Sequence, residues 1–468
     1  MIRELDLMIK TDMEKFVGIK SFSTETMGLG GRIKTFPSDF QVSEITSDGR
    51  SLEVSGESEY TTDITLNSGN KRFTAFTLVK KNLDTIFVAR EIARALRISY
   101  NDVSWAGLKD NRAITAQEMC VFGDHKQSLE GLDLKNVEIR NIHYRNHQIH
   151  VGELWGNHFK IKIRHLGYDN QGNAIPEIHN MSQTQIKELI RKTTSELKKR
   201  GFPNFFGLQR FGSYRPNSHL MGKLIFQKRY KEALDEFLIS TYPREHEGSK
   251  KIRKRLAEEG DYQDALRYFP HSLRYERAII EKLASNPQDK RGALKQIPDP
   301  LLKLILSAYQ SYLFNMAISK RQSELGSINK LVDGDIIAIL VDECGPSTPL
   351  RYKYGSWYDD ALKKALRLRR ASITCPILGT ETKLAASPFH KIYEELLARE
   401  DFRLCQFNCN HIINLGYGGT DRAIYVIPRE LKAVYHPSET LDDSFLELEF
   451  SLPKGTYATM LVREYCKK

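Results

Sequence analysis

From Trp105 to Gln117 the chain reads WAGLKDNRAITAQ, and few stretches restrict a fold as tightly as this one. The apolar lead-in, Val103, Trp105 and Ala106, reads as a strand running into a turn marked by Gly107. Such a turn holds the side chains that follow at a strand end, over a cleft rather than in a core. Those side chains are Lys109, Asp110 and Arg112, one carboxylate between two cations, with Thr115 and Gln117 beyond. Flanking cations bias a carboxylate toward its ionised form, which a nucleophile or general base requires. A solvated surface loop carries the same residue types, so spacing alone leaves both readings open.

The chain around this loop is long and basic. At 468 residues it exceeds what one compact core normally encloses, and two domains are expected. A formal charge of +11 favours a polyanionic partner, nucleic acid before a membrane surface, although solubility alone accounts for a basic excess too. The N-terminal MIRELDLMIKTDMEKF has no apolar core of signal-peptide length, and no run is long enough for a membrane helix. A cytoplasmic protein is expected. The six cysteines are scattered, as reduced thiols are; Cys405, Cys409 and His411 lie close together but lack a second cysteine pair for zinc.

In IKTFPSDFQVSEI, Phe40 to Ile45 alternates as a strand that places Glu44 on the face of Phe40 and Val42. A carboxylate on an apolar face is paired, borders a site, or reaches solvent from an edge strand. A second strand from Phe76 ends in Lys80 and Lys81, and Asp84 or Thr85 caps the helix that follows. That helix has an apolar face (Ile86, Ala89, Ile92, Ala93, Leu96) and an arginine face (Arg90, Arg94, Arg97) open to phosphate or solvent. Met119 to Phe122 reads as a short strand. Gly156, Asn157, His158 and Phe159 lead into KIKIRHL, where Phe159 opens the apolar face; it reads as core, or as a strand-end aromatic able to stack on an extruded base. Ser182 to Arg200 is a helix with a Ser182–Gln185 capping box, closed by Gly201.

NFFGLQRFG (204–212) combines Phe205, Gln209 and Arg210 with two glycines, a composition suited to stacked bases and a bound phosphate. From about 213 to 420 the character changes. Basic runs appear at Lys250 to Arg255 and Lys363 to Arg370, a helix capped by Asp299 spans Leu301 to about Lys320, and VDGDIIAIL (332–340) reads as a turn and strand. The basic runs are phosphate contacts or solvated faces, in a segment expected to have its own core. Leu446, Leu448, Phe450 and Leu452 then return to strand alternation, and a short helix follows Thr456.

Several of these strings resemble signatures of the TruD family of pseudouridine synthases. GLKDNRAITAQ is similar to its catalytic-aspartate motif, PSDFQVSE to its N-terminal signature, and GNHF to the element that supplies an active-site aromatic. NFFGLQRFG and LPKGTYATMLVRE resemble its later motifs, in order, and the segment between them matches mainly around YQSYLFN and VDGDIIAIL. The resemblance implies an α+β fold: a pseudouridine synthase core with a mixed or antiparallel sheet, formed by residues 1–212 and 421–468 and interrupted by an inserted TRUD domain at 213–420. It implies isomerisation of a uridine, typically uridine 13 of tRNA, with base flipping, no cofactor and no metal. Asp110 is the implied nucleophile and Phe159 the implied stacking ring. Glu44, Lys80 or Lys81, and Asn157 are implied neighbours, and Phe40, Lys109, Arg112, Phe205, Gln209 and Arg210 complete the expected RNA contacts. A monomer acting on tRNA, away from membranes, is expected. Two other classes stay open: an RNA chaperone without turnover, and a magnesium-dependent nuclease using Asp110 and Glu44.

Overall fold

A computed structural model describes residues 12–55, 73–169, 171–355, 359–384, 387–414 and 416–467. The protein is α+β, and one large sheet carries most of its N-terminal half. Its strands are β1 (Gly30–Arg32), β2 (Phe40–Thr46), β3 (Phe73–Lys81), β4 (Val103–Trp105), β5 (Ile114–Phe122), β6 (Val137–Arg145) and β7 (Leu154–Leu166). Helix α1 (Thr85–Leu96) links β3 to β4; the Asp84 carboxylate accepts the Phe87 N–H at its start. Helix α2 (Gln183–Arg200) has the Ser182–Gln185 capping box and ends at Gly201, whose φ of 71° requires glycine.

The chain then leaves the sheet. A two-residue strand, β8 (Phe202–Pro203), precedes a series of short helices from Ser218 to Leu294 and the long helix α3 (Asp299–Leu325). A second, antiparallel sheet follows, built from β9 (Ile336–Leu340), β10 (Ser347–Lys353), β11 (Ala371–Ile377) and β12 (Thr420–Ala423), while β13 (Tyr425–Val426) pairs with β8. Finally β14 (Arg429–His436) and β15 (Phe445–Pro453) rejoin the first sheet, whose order becomes β14-β15-β7-β2-β5-β3-β6, and helix α4 (Ala458–Cys466) closes the described chain. No helix among the described residues is long and apolar enough to cross a membrane.

Four expectations need correction. β5 begins at Ile114, not near Met119, so Thr115 and Gln117 belong to the strand. Helix α3 starts from Pro298 and runs to Leu325, further than expected. Among the described residues, the segment after residue 213 has no separate core, because its buried apolar residues form one continuous cluster with Phe40, Phe159, Leu448 and Leu461. Phe159 does not open a strand: it sits inside β7, paired with Val42 of β2 on one side and Phe450 of β15 on the other.

Helix α3 explains the continuity. It is buried on nearly every side from Ala308 to Ser319, and its polar groups are spent on neighbouring backbone. The Asn315 amide donates to the carbonyls of Val17 and Phe206, at 3.0 Å each, and its oxygen accepts the Phe206 N–H at 2.9 Å. Buried amides are tolerated when satisfied in this way. NFFGLQRFG is therefore less an open stacking surface than a seam. Phe205 is 1% exposed, the Arg210 guanidinium reaches the hydroxyls of Ser307 and Ser311 on α3, and only Gln209 faces solvent.

Phe159 is 6% exposed, with its ring stacked on Phe450 at 5.5 Å and edge-on to Phe40 at 6.2 Å. Truncating a ring in such a site typically costs about 3–5 kcal/mol. Phe159→Ala should therefore lower the urea midpoint markedly, whereas a loss below about 1 kcal/mol would show that the ring is not part of the core.

Candidate active site

The parallel approach of β2 to β5, with Val42 opposite Thr115, builds the site. β4 pairs antiparallel with the far end of β5, Trp105 opposite Met119. Residues 106–113 therefore run on beside β5 and turn back to enter it at Ile114. This wide loop carries Lys109, Asp110 and Arg112, and three buried polar contacts hold it down.

The first is the ion pair between Lys109 Nζ and Glu44 Oε2 at 2.5 Å, with side chains only 4% and 1% exposed. The other Glu44 oxygen accepts the Glu118 N–H at 3.1 Å. Burial pushes the Glu44 carboxyl above its usual range, and the charge and hydrogen bond of Lys109 oppose that rise. The second contact is Lys80, fully buried, whose ammonium donates to the carbonyl of Leu83 at 2.8 Å and to that of Asp110 itself at 2.9 Å. Burial lowers the Lys80 pKa to about 8, against the pull of Asp110 and Asp84. The third joins Thr85, Gln117 and the loop: the Thr85 hydroxyl accepts the Lys109 N–H and meets the Gln117 carbonyl, and the Gln117 amide donates to the Gly107 carbonyl.

Held in this way, Asp110 turns its carboxylate outward. Its partner is not a sequence neighbour but Lys34, whose Nζ lies 2.5 Å from Oδ1, with the two side chains 24% and 27% exposed. Lys34 has a φ of 59°, in the left-handed region, and its ammonium sits 4.0 Å from the centre of the Phe40 ring. Arg112 braces the same segment by donating to the Thr35 carbonyl at 3.1 Å. Asp39, fully buried, accepts from the Phe36 N–H and pairs with Arg164, fixing the turn between Lys34 and Phe40.

Alternation and register put Phe40, Val42, Glu44, Lys80, Thr115, Asn157 and Phe159 on one face of the sheet, beneath this loop. Two buried polar atoms on that face, Thr115 Oγ1 and Asn157 Oδ1, have no hydrogen-bond partner among the described residues. Such atoms mark places where a bound molecule can supply the bond. Lys81 projects from the opposite face, exposed, so of the basic pair only Lys80 belongs here. Phe205, Gln209 and Arg210 have no hydrogen bond, ion pair or ring contact to the Asp110 cluster among the described residues. The sequence pattern also missed Lys34, although it stands inside the quoted string IKTFPSDF, because nothing local ties it to a carboxylate 76 residues away.

The family model for tRNA pseudouridine synthase D (TruD) matches residues 16–465. The chain belongs to the TruD family. A Methanosarcina barkeri protein named probable tRNA pseudouridine synthase D is 32% identical over 460 residues, which cover 97% of this chain and 98% of that protein. One of the same name from Archaeoglobus fulgidus is 33% identical, with 97% and 99% covered. A solved TruD structure from Methanosarcina mazei superposes with a TM-score of 0.76 at 32% identity, covering 97% of each chain. In this TruD-family fold, the Asp110 carboxylate is about a quarter exposed, while Glu44 is sealed beneath it.

Two outcomes test this architecture. Lys109→Met strands a buried carboxylate and should cost about 3–5 kcal/mol, much of it recovered in the Glu44→Gln/Lys109→Met double variant; thermal melts of the cycle decide it. Lys80 has a folded pKa near 8 and an ordinary value of 10.5, so between those values the unfolded chain binds more protons. Wild type should therefore gain stability relative to Lys80→Met as pH rises from about 8 to 10.5, and parallel pH profiles would show that Lys80 is not desolvated.

Proposed function

We propose that this TruD-family protein is a tRNA pseudouridine synthase, that it modifies uridine 13, and that Asp110 is its nucleophile. The observation that carries the reading is the Asp110 carboxylate itself, exposed at a loop clamped from below and held against the Lys34 ammonium. The reaction breaks the bond between C1′ of the ribose and N1 of uracil, turns the base, and forms a bond from C1′ to C5. The proton leaves C5 and N1 gains one, so the change is an isomerisation that needs neither an oxidant nor a metal. Lys34 holds the Asp110 carboxylate aimed as the glycosidic bond breaks.

A uridine inside a stem or a stacked loop is out of reach of a carboxylate in a cleft, so the base has to be flipped. Phe40, with Phe159 behind it, provides an apolar floor for the extruded uracil. Thr115 Oγ1 and Asn157 Oδ1 are the free polar atoms on that floor, suited to the imide edge of the base. The fold supports a reading of residues 213–420 as an inserted TRUD domain, since β14 and β15 resume the first sheet after it. In the basic run at Lys250 to Arg255, Arg253 is 1% exposed and bound to Glu245 and Glu276, Lys250 pairs with Glu247 and Arg255 with Glu259 and Asp264, which leaves Lys251 and Lys254 as the candidates for phosphate contact.

The test is pseudouridine mapping on unmodified tRNA transcripts, with and without EDTA, for wild type and Asp110→Asn. One modified uridine at position 13, insensitive to EDTA and absent with the variant, is the expected result. Turnover by Asp110→Asn would remove it from the nucleophile's role, and strand scission requiring magnesium would replace the reaction class. Lys34→Met should reduce kcat by at least tenfold with little change in RNA affinity, as expected for a residue that acts on Asp110.

A further inference from the structure

At the seam between the two sheets lies a cavity of about 210 Å³, bounded by the ends of β9, β11, β12 and β15. Arg422 lines it, together with Asn204, Arg369, Lys454 and Thr456. The Arg422 guanidinium is partly buried, 4.2 Å from the centre of the Phe206 ring. Its Nε donates to the Asn204 carbonyl at 3.1 Å and its Nη2 to the Asn204 side-chain oxygen at 2.7 Å. Those two bonds and the ring fix its plane.

No carboxylate among the described residues pairs with this cation. Asp421 also lines the cavity, but it belongs to Arg351, at 2.6 Å. Burial lowers the Arg422 pKa to about 10; the neighbouring Tyr457 side chain opposes that fall and the like charge of Arg210 adds to it. Two more deeply buried arginines are neutralised, Arg253 by Glu245 and Glu276 and Arg321 by Asp335. A desolvated cation without an anion is costly, and a guanidinium held flat with one edge free matches the geometry of a phosphate. The cavity also has a definite place relative to the site. Pro453 on its wall is the β15 partner of Gly156, next to Asn157.

We propose that Arg422 and this cavity form a binding site for one phosphate of the RNA backbone, which sets the register of the strand whose uridine enters the Asp110 site. The proposal rests on the synthase reading, but its test reads binding and does not require turnover. The phosphate contact carries no sequence information; it positions. Arg422 is thus a positioning residue.

Phosphate-ethylation interference on an end-labelled tRNA transcript, with wild type, Arg422→Gln and Arg422→Lys, tests it. Ethylation neutralises one phosphate at a time, and at one or two adjacent positions it should weaken binding to wild type but not to Arg422→Gln. The salt slope of binding should fall by about one contact in Arg422→Gln. Arg422→Lys keeps the charge without the fork, so its slope should stay near wild type while its affinity falls. Identical interference patterns and slopes for wild type and Arg422→Gln would overturn the proposal, whatever happens to the melting temperature. If inorganic phosphate raises the wild-type melting temperature but not that of Arg422→Gln, while the interference patterns agree, the cavity takes free phosphate and the RNA assignment fails. A shifted pattern without pseudouridine formation would leave the phosphate site standing and reject the synthase reading.

Discussion

The buried pair of Glu44 and Lys109 is the contact on which the site depends. Two ions that are almost wholly enclosed give up hydration worth several kcal/mol each, and their attraction offsets this only when geometry and further hydrogen bonds are good. Here the Glu118 N–H satisfies the second carboxylate oxygen. The pair joins the middle of β2 to a loop that otherwise belongs to β4 and β5, and so turns a wide hairpin into a fixed platform. Exchanging a buried ion pair for apolar groups of similar volume often costs no stability. What it would lose is the position of the next residue, Asp110.

The same logic separates the two carboxylates. Glu44 and Asp110 both face cations, but Glu44 is sealed and its lysine is spent on it, whereas Asp110 and Lys34 stay about a quarter exposed. A group intended to react has to be reachable, and a group intended to hold has to be dry. Lys80 extends the pattern: it binds the backbone carbonyl of Asp110 and fixes the main chain without competing for the carboxylate oxygen atoms.

Much of this is legible in the sequence where the interacting residues are contiguous. Alternation gave β2, β7 and β15 and the face of Glu44, and the Gly107 turn located Asp110. Contacts between distant residues are not legible in this way. Lys109 and Arg112 flank Asp110 in sequence, yet the carboxylate pairs with Lys34, because the loop turns Lys109 downward and Arg112 toward Thr35. Alternation identifies a face but not a strand's length, so Phe159 was placed at an end although β7 begins five residues earlier, at Leu154. Phe205 and Arg210 read as an open RNA surface because α3, the helix that packs on this segment through Phe206 and Arg210, lies about a hundred residues downstream.

Those distant contacts also bear on how the site is kept in register with the rest of the chain. Asn315 on α3 binds Val17 and Phe206, and Glu464 on α4, fully buried, accepts from the backbone and hydroxyl of Thr24 and from the Ser23 N–H. The N-terminal segment, the NFFG seam and the C-terminal helix are thus cross-linked by groups that tolerate little displacement, since each would be left buried and unsatisfied. Lys34 lies on the segment anchored this way at both sides, by Ser23 and Thr24 before it and by Asp39 and Arg164 after it. Its left-handed backbone, which costs on the order of 1–3 kcal/mol in a residue other than glycine, is therefore imposed from outside. The strain is borne by the fold, and the result is an ammonium delivered to Asp110 by a part of the chain that the Asp110 loop itself does not control.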